Sequence, residues 1–468
     1  DALPIFFWAG TNDGLVHVSR DGGASWTNVS KNIPGLPKYG VVRNIDASKW
    51  DAGKAYLTIE FHQVGNFAPY VYKTEDFGKT WTKITKGIVE DQLNYTRCVR
   101  EDPIRKGLLY LGTESALYVP FDDGANWQSL MTNLPPTPYY WIDIPEHYND
   151  LVLGTYGRGI WILDDITPLQ QMDAAVAAKS AHLFEPRPAY RFQPVTMSMQ
   201  FFPEASSGQD PQYGASLHYW MKEASDTVKV SILITNEAGD TVRTLTQKPK
   251  PGLNRVFWDL RGEPTKSIVF RTKAKYADWV SLPPGKYKVY LNAGKEQMMQ
   301  TLEVLKDPHS EGSSADIAVQ HELMTQLYAD LNALTGKINS MELLRRQVLD
   351  LKALMTATDK DKAAIQTLDS LYKAVTGLEE RLIQLQYTGT GQDEVRYPTK
   401  LAEKLRYLAT TVPVADFRPA DAYYEVHKML REQMDAVAKD YEALKAGQLA
   451  EVKEMMNRQH AGGIILEN

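Results

Sequence analysis

Ser19-Arg20-Asp21-Gly22-Gly23-Ala24-Ser25-Trp26 and Thr74-Glu75-Asp76-Phe77-Gly78-Lys79-Thr80-Trp81 write the same turn twice, and Phe121-Asp122-Asp123-Gly124-Ala125-Asn126-Trp127 writes a weaker third copy. An aspartate, a glycine two residues on and a tryptophan three beyond that recur about every 50 residues, a period typical of radial β architectures built from one small sheet per repeat. Each residue has a mechanical job. The Asp carboxylate accepts N–H bonds inside its own turn. The glycine takes a backbone conformation that a side chain penalises. The tryptophan opens the next strand and buries its ring between sheets. Asp21, Asp76 and Asp122, with Gly23, Gly78, Gly124 and Trp26, Trp81, Trp127, are therefore read as structural braces rather than as catalytic or calcium-binding groups.

Working outward from these turns, short β runs fall into units of four. One unit is Val41–Ile45, Ala55–Ile59, Tyr70–Lys73 and Trp81–Ile84; the next is Thr96–Arg100, Leu108–Gly112, Ala116–Val119 and Trp127–Leu130. Each reads as a propeller blade. The first blade has only Phe6–Gly10, Leu15–Val18 and Trp26–Val29, and so lacks an innermost strand. The last has Tyr140–Ile144, Leu151–Gly154 and Ile160–Leu163, and lacks an outer one. Propellers typically close with about four to eight blades, and an open ring exposes sheet edges. Further N-terminal blades of the same protein are therefore expected, in a number the sequence leaves open. Asp1-Ala2-Leu3-Pro4-Ile5 reads as foreign to the fold and is set aside.

The remainder divides by pattern. Residues 169–213 read as a connector packed on the propeller, extended at Leu183–Arg191 and looping at Pro203–Tyr213. Residues 214–308 carry strands at Ser216–Trp220, Val228–Ile234, Thr241–Leu245, Asn254–Asp259, Gly285–Leu291 and Met298–Leu305, which suggests an antiparallel sandwich. From 309 to 468 the chain is helical. Leu323, Leu327, Leu331, Leu334, Ile338, Met341, Leu344, Val348, Leu351 and Met355 form one seam, and Ile365 to Leu385 a second. Helices at Leu401–Thr411 and Ala420–Met456 complete an antiparallel bundle expected to pack on itself or on the sandwich. The fold class is thus an incomplete Asp-box β-propeller (residues 1–168, about four blades, the first and last partial), then an Ig-like β-sandwich, then a helical bundle.

Composition removes several function classes. The 468 residues carry 52 Lys and Arg against 58 Asp and Glu, a net charge of −6 that argues against a nucleic-acid partner. Cys98 is the only cysteine, so neither an intrachain disulfide nor a thiolate metal cluster is available; in its inner strand it reads as a buried inert thiol. No apolar run is long enough to span a membrane. The histidines show no paired metal spacing, and Gly154–Gly159 lies between strands rather than before a helix, so neither a metal nor a nucleotide cofactor is expected.

The turns at 19–26 and 74–81 resemble the Asp-box, or BNR, repeat of sialidase-like and sortilin-like propellers. Gly154-Thr155-Tyr156-Gly157-Arg158-Gly159-Ile160-Trp161-Ile162-Leu163-Asp164-Asp165, followed by Pro168-Leu169, resembles the closing segment of large bacterial BNR-repeat proteins called glycosyl-hydrolase-like or sortilin N-terminal-like. Asn236–Asp240, Thr244-Leu245, Gly252-Leu253-Asn254, Trp258-Asp259 and Pro284–Tyr287 resemble the Ig-like domain those proteins carry next, akin to that of the flagellar-hook capping protein. The resemblance covers about residues 6–305 and implies an exported, extracytoplasmic protein.

Strand direction then locates a candidate site. Asp-box turns join strands three and four of a blade; turns between strands two and three, and the inter-blade loops, lie on the opposite face. That face carries Asn12, Asp13, Glu60, His62, Glu114, Tyr156 and Arg158, with Tyr39, Asn94, Tyr95, Tyr139 and Tyr140 from the loops. Glycoside hydrolysis needs two carboxylates, or a tyrosine nucleophile beside an arginine cluster. Glu60 and Glu114 are the candidate acids and Arg158 the candidate anion contact; Asn12, Asp13, His62, Tyr95, Tyr140 and Tyr156 are candidate ligand contacts. Alternatively they are solvated turn residues. With one arginine in the set, an arginine triad is not visible. Three readings follow: a non-catalytic binding or scaffold protein for a glycan or peptide, which leads; a glycoside hydrolase with catalytic acids partly in further blades; and a sortilin-like peptide receptor.

Overall fold

In a computed structural model the described residues are 6–192, 210–224, 229–269, 278–357, 362–388 and 391–458. The chain divides into two compact units: residues 1–187 with 216–229 and 248–256, and residues 188–215 with 230–247 and 257–468.

The first unit is built from small antiparallel sheets in which sequential strands are neighbours. β1 (Phe7–Gly10), β2 (Val16–Ser19) and β3 (Thr27–Asn28) form one. β4 (Val41–Ala47), β5 (Ala55–Glu60), β6 (Val71–Thr74) and β7 (Thr82–Lys83) form the next. β8 (Thr96–Glu101), β9 (Leu109–Thr113), β10 (Leu117–Val119) and β11 (Gln128–Ser129) repeat that order, and β12 (Tyr139–Asp143), β13 (Leu151–Thr155) and β14 (Ile160–Leu163) end the series. Each sheet shares a core with the next. Val16, Val29 and Trp8 pack with Leu57, Tyr72 and Trp81. Tyr56 and Val71 pack with Val99, Leu111 and Trp127. Leu108, Tyr110 and Val119 pack with Ile142, Leu151 and Leu153. First strands also touch: the Asn44 side chain accepts from the Val99 N–H at 2.9 Å, and Arg100 Nε donates to the Ile142 carbonyl at 3.2 Å.

The repeated turns brace these sheets. Asp76 accepts from the Thr80 N–H (2.9 Å), the Thr80 hydroxyl (2.7 Å) and the Thr74 hydroxyl (3.0 Å). Asp21 and Asp122 repeat the pattern with Ser25 and Asn126. Gly78 has φ of 77°, and a Cβ there would lie 2.8 Å from Val29 Cγ2, so the glycine admits both the turn and the approach of the preceding sheet. Trp81 and Trp127 are buried as the pattern requires, and Trp127 Nε1 donates to the Ile84 carbonyl at 2.8 Å. Trp26 departs from expectation: it is 47 % exposed and, among the described residues, stacks on Phe7 alone, its sheet having no described neighbour on that side.

After β14 the chain makes α1 (Thr167–Gln171) and α2 (Ala174–Ala178), two short helices that the sequence reading of the connector did not anticipate. Pro168 at the first turn and the Asp173 carboxylate accepting from the Val176 N–H start these helices. β15 (Ala181–Leu183), β17 (Ala215–Met221) and β20 (Gly252–Trp258) make a three-stranded sheet. β16 (Ala189–Arg191), β22 (Glu296–Lys306), β21 (Gly285–Ala293), β18 (Val230–Thr235) and β19 (Thr241–Gln247) make a five-stranded one, in which β16 and β22 run parallel. The loop expected at Pro203–Tyr213 falls largely outside the described residues, as does Val228.

The second unit also carries α3 (Ser314–Ala357), α4 (Lys362–Leu382), α5 (Asp393–Arg396), α6 (Leu401–Thr411), α7 (Asp421–Leu444) and α8 (Ala450–Arg458). The leucine seams meet in one core containing Leu327, Leu334, Ile338, Leu368, Leu371, Leu405 and Leu430. The helix expected over Ala420–Met456 is interrupted by a π-turn at Lys445–Leu449, which holds Gly447. Among the described residues, no helix is long and apolar enough to cross a membrane, and no His, Cys, Asp or Glu group could hold a metal ion.

Candidate functional site

The first strands of three successive sheets each carry one extra residue. In β4 it is Arg43, between Val42 paired to Ile59 and Asn44 paired to Thr58. In β8 it is Arg97, between Thr96 paired to Thr113 and Cys98 paired to Gly112. In β12 it is Tyr140, between Tyr139 paired to Thr155 and Trp141 paired to Gly154. A bulge leaves its residue outside the ladder and re-aims the side chain. Here all three bulges serve one cluster.

Arg97 is its centre. Nη1 donates to Glu60 Oε2 at 2.7 Å, and Nε and Nη2 fork onto Glu114 Oε2 at 2.8 and 2.6 Å. Nη2 also donates to the Tyr95 hydroxyl at 3.0 Å. Arg43 pairs with the other Glu60 oxygen, Oε1. The Arg97 guanidinium lies over the rings of Tyr95 and Tyr140, 4.7 and 4.5 Å from their centroids. His62 stacks on Tyr95 at 4.9 Å and its Nδ1 is 3.3 Å from Glu60 Oε2. Tyr156 tilts against Tyr140 at 5.7 Å.

Burial sorts these groups into a floor and a rim. The side chains of Arg97 and Glu60 are 5 % and 1 % exposed, whereas that of Glu114 is 20 % exposed. Tyr140 and Tyr156 are exposed, and His62 is half-buried. Burial works against the charge of Arg97, but the Glu114 and Glu60 carboxylates outweigh it and hold its proton more tightly than usual. Burial first, then Glu114 and Glu60 against the pull of Arg97, pushes the Tyr95 phenol up to about 12. Tyr95 is therefore a neutral hydrogen-bonding group at ordinary pH.

Of the residues singled out from sequence, Glu60, Glu114, His62, Tyr95, Tyr140 and Tyr156 come together. Asn12 and Asp13 lie in the β1–β2 turn, where Thr11 bonds Asp13, and have no bond to this cluster among the described residues. Arg158 stands exposed in the β13–β14 turn, where its carbonyl accepts from Trp161 Nε1 at 3.1 Å. Arg43 and Arg97 were missed, so the arginines near the acids are more numerous than the turn residues alone indicated. A signal existed: aligning the repeats puts Arg43, Arg97 and Tyr140 in one column. Cys98, beside Arg97, is buried with Sγ 3.4 Å from the Tyr139 carbonyl, and burial pushes its thiol up to about 12. It is inert there.

Comparison with known proteins finds partial similarities. An oligoxyloglucan-reducing end-specific xyloglucanase of Emericella nidulans is 31% identical over 174 residues, 34% of this chain and 20% of that protein. The chain thus spans about a fifth of the length of that curated relative. No family model matches. Among solved structures, a GH74 xyloglucanase from Xanthomonas campestris aligns at a TM-score of 0.29 and 14% identity, covering 63% of this chain and 47% of that one. YCF48 bound to D1 peptide aligns at 0.26 and 13% identity, covering 62% and 77%. Superpositions this loose transfer no residue role.

Proposed function

We propose that the sheets of the first unit are blades of a β-propeller in a carbohydrate-active, extracytoplasmic protein of glycoside hydrolase type, and that the rim around Arg97 binds a neutral glycan. In this reading residues 1–168 are the propeller part, 169–213 its connector, 214–308 an Ig-like sandwich and 309–468 a bundle, with further blades contributing to the whole protein. The observation that carries the site is the set of bulges delivering Arg43, Arg97 and Tyr140 to one place, since bulges that re-aim side chains concentrate beside functional sites. The xyloglucanase match supports the substrate class.

The chemistry of the rim favours an uncharged sugar. Four of the five N–H groups of Arg97 go to Glu60, Glu114 and Tyr95, so a ligand carboxylate could not take the forked, two-bond grip without displacing one of them. Tyr140 and Tyr156 offer open ring faces to the C–H face of a pyranose, and partly exposed Glu114 offers an acceptor to its hydroxyls. Glu60 has no open side and serves to hold Arg97. A non-catalytic binding role is the second reading, favoured by both carboxylates being tied to one guanidinium.

Xyloglucan oligosaccharides separate the readings. Calorimetric binding should weaken about tenfold or more in Tyr140→Ala and Tyr156→Ala, with the fold unchanged by circular dichroism. Release of reducing ends that is abolished in Glu114→Gln while binding persists supports hydrolysis at this rim. Binding without release supports the binding role. Binding unaffected by either tyrosine variant refutes the site.

A further inference from the structure

A cavity of about 630 Å³ lies in the first unit, away from the rim, walled mainly by leucines including Leu130, Leu151, Leu153 and Leu163, with Trp161 beside them. That volume is in the range of small-molecule sites. Part of its polar lining is already committed. The Asn254 amide closes its own turn on the Lys250 and Gly252 carbonyls at 2.7 and 3.0 Å. Arg255 Nη1 donates to the Asp164 carbonyl at 3.3 Å.

His218 is the buried polar side chain that keeps an open ring nitrogen. It lines the cavity and is 4 % exposed. The Ser216 hydroxyl donates to Asp165 Oδ2 at 2.8 Å and lies 3.3 Å from His218 Nδ1. Nδ1 is also 3.6 Å from that Asp165 oxygen. Ser216 has one proton and gives it to Asp165, so Nδ1 faces two acceptors and must carry the imidazole proton. Nε2 is left as a bare lone pair with no hydrogen-bond partner among the described residues. Burial, with help from Arg255 and Arg187 and against the pull of Asp165, lowers the imidazole to about 4, so the ring is neutral at ordinary pH. Asp165 itself holds the left-handed φ of 59°, a backbone cost found where surroundings over-determine a residue.

We propose that this cavity binds a neutral aromatic alcohol, its rings against the leucines and Trp161 and its hydroxyl donating to His218 Nε2. Net charge is disfavoured. An anion meets the Asp164 and Asp165 carboxyl groups, which offset the charge of Arg255 in the same lining, and a cation finds Asp165 already 3.6 Å from Arg187. A sugar is disfavoured too, because walls made mainly of leucine leave many of its hydroxyls unpaired.

The probe is 2-naphthol, titrated into the full chain by calorimetry, with 2-methoxynaphthalene as the analogue that lacks the donor. Saturable 2-naphthol binding should exceed that of the ether by about tenfold or more, the loss of one buried hydrogen bond. His218→Phe should reduce 2-naphthol binding by a similar factor. Nitrogen NMR of the unmutated protein, which does not depend on that variant folding, should find His218 protonated at Nδ1, with Nε2 shifting on binding. Equal affinity for the ether, no saturable 2-naphthol binding, or a proton on Nε2 in the free protein overturns the proposal.

Discussion

Replacing Arg97 by methionine keeps an unbranched apolar stem, shorter than that of arginine, and removes the charge. Glu114 then loses its forked partner, the Tyr95 hydroxyl loses a donor, and Glu60, 1 % exposed, keeps Arg43 but loses the 2.7 Å bond to Nη1. Removing one partner of a buried ion pair costs about 3–5 kcal/mol. Because Arg43 remains and Glu114 is partly hydrated, the lower end, about 3 kcal/mol, is expected. Adding Glu60→Gln removes the stranded charge, so the double variant should fall short of additivity by about 1–2 kcal/mol. The chain has two compact units, so the assay is native-state hydrogen exchange read at β5 and β8 amides rather than a single melting curve. Arg418→Ala, which removes an exposed pair with Asp316, is the control and should cost less than about 1 kcal/mol. A loss below about 1 kcal/mol for Arg97→Met, or strict additivity with Glu60→Gln, refutes the view that this arginine holds the cluster.

Three further outcomes follow from the braces and the core. The Asp21 carboxyl is held at about 2, first by the Ser25 hydroxyl and then by the Ser25 N–H and the Ser19 hydroxyl. Its folded value is depressed, so its stabilisation is present above the unfolded value near 3.8 and is lost as pH falls from there through about 2; carbon NMR titration should find this, and Ser25→Ala should move the carboxyl back toward 3.8. Gly78→Ala should cost clearly more than Gly157→Ala, for which only the left-handed penalty of about 1–2 kcal/mol applies, since Gly157 has open space around it and Gly78 meets Val29; equal losses by hydrogen exchange would remove the steric argument. Cys98 should react with a thiol reagent only as fast as β8 opens, matching the exchange rate of its neighbouring amides, and rapid labelling of the folded chain would contradict its burial.

Local chemistry wrote much of this molecule legibly. Asp, Gly and Trp at fixed offsets define a turn whose bonds close within seven residues, so the braces and the strands they join could be read from adjacent residues alone. The helical seams were equally plain, because a spacing of three and four fixes one face of a helix whatever packs on it. Both kinds of reading stopped where the environment decides. Trp26 and Trp81 occupy the same place in the repeat, yet only Trp81 has a sheet to cover it. Gly447 gave no warning that its helix would take a π-turn.

Residue order alone sets the repeat, the direction of each strand, and therefore which turns share an end of the sheets; Glu60, Glu114, His62, Tyr95, Tyr140 and Tyr156 were placed on one side by that logic. That Arg97 joins them emerges with the packing of the folded chain. A one-residue bulge reverses the side to which a side chain points, and alternation along a strand cannot reveal it. The partners of Arg97 lie 37 and 17 residues away in sequence, so their meeting depends on how neighbouring strands register. His218 is the same case more sharply: its tautomer is set by Asp165, 51 residues before the Ser216 hydroxyl that links them.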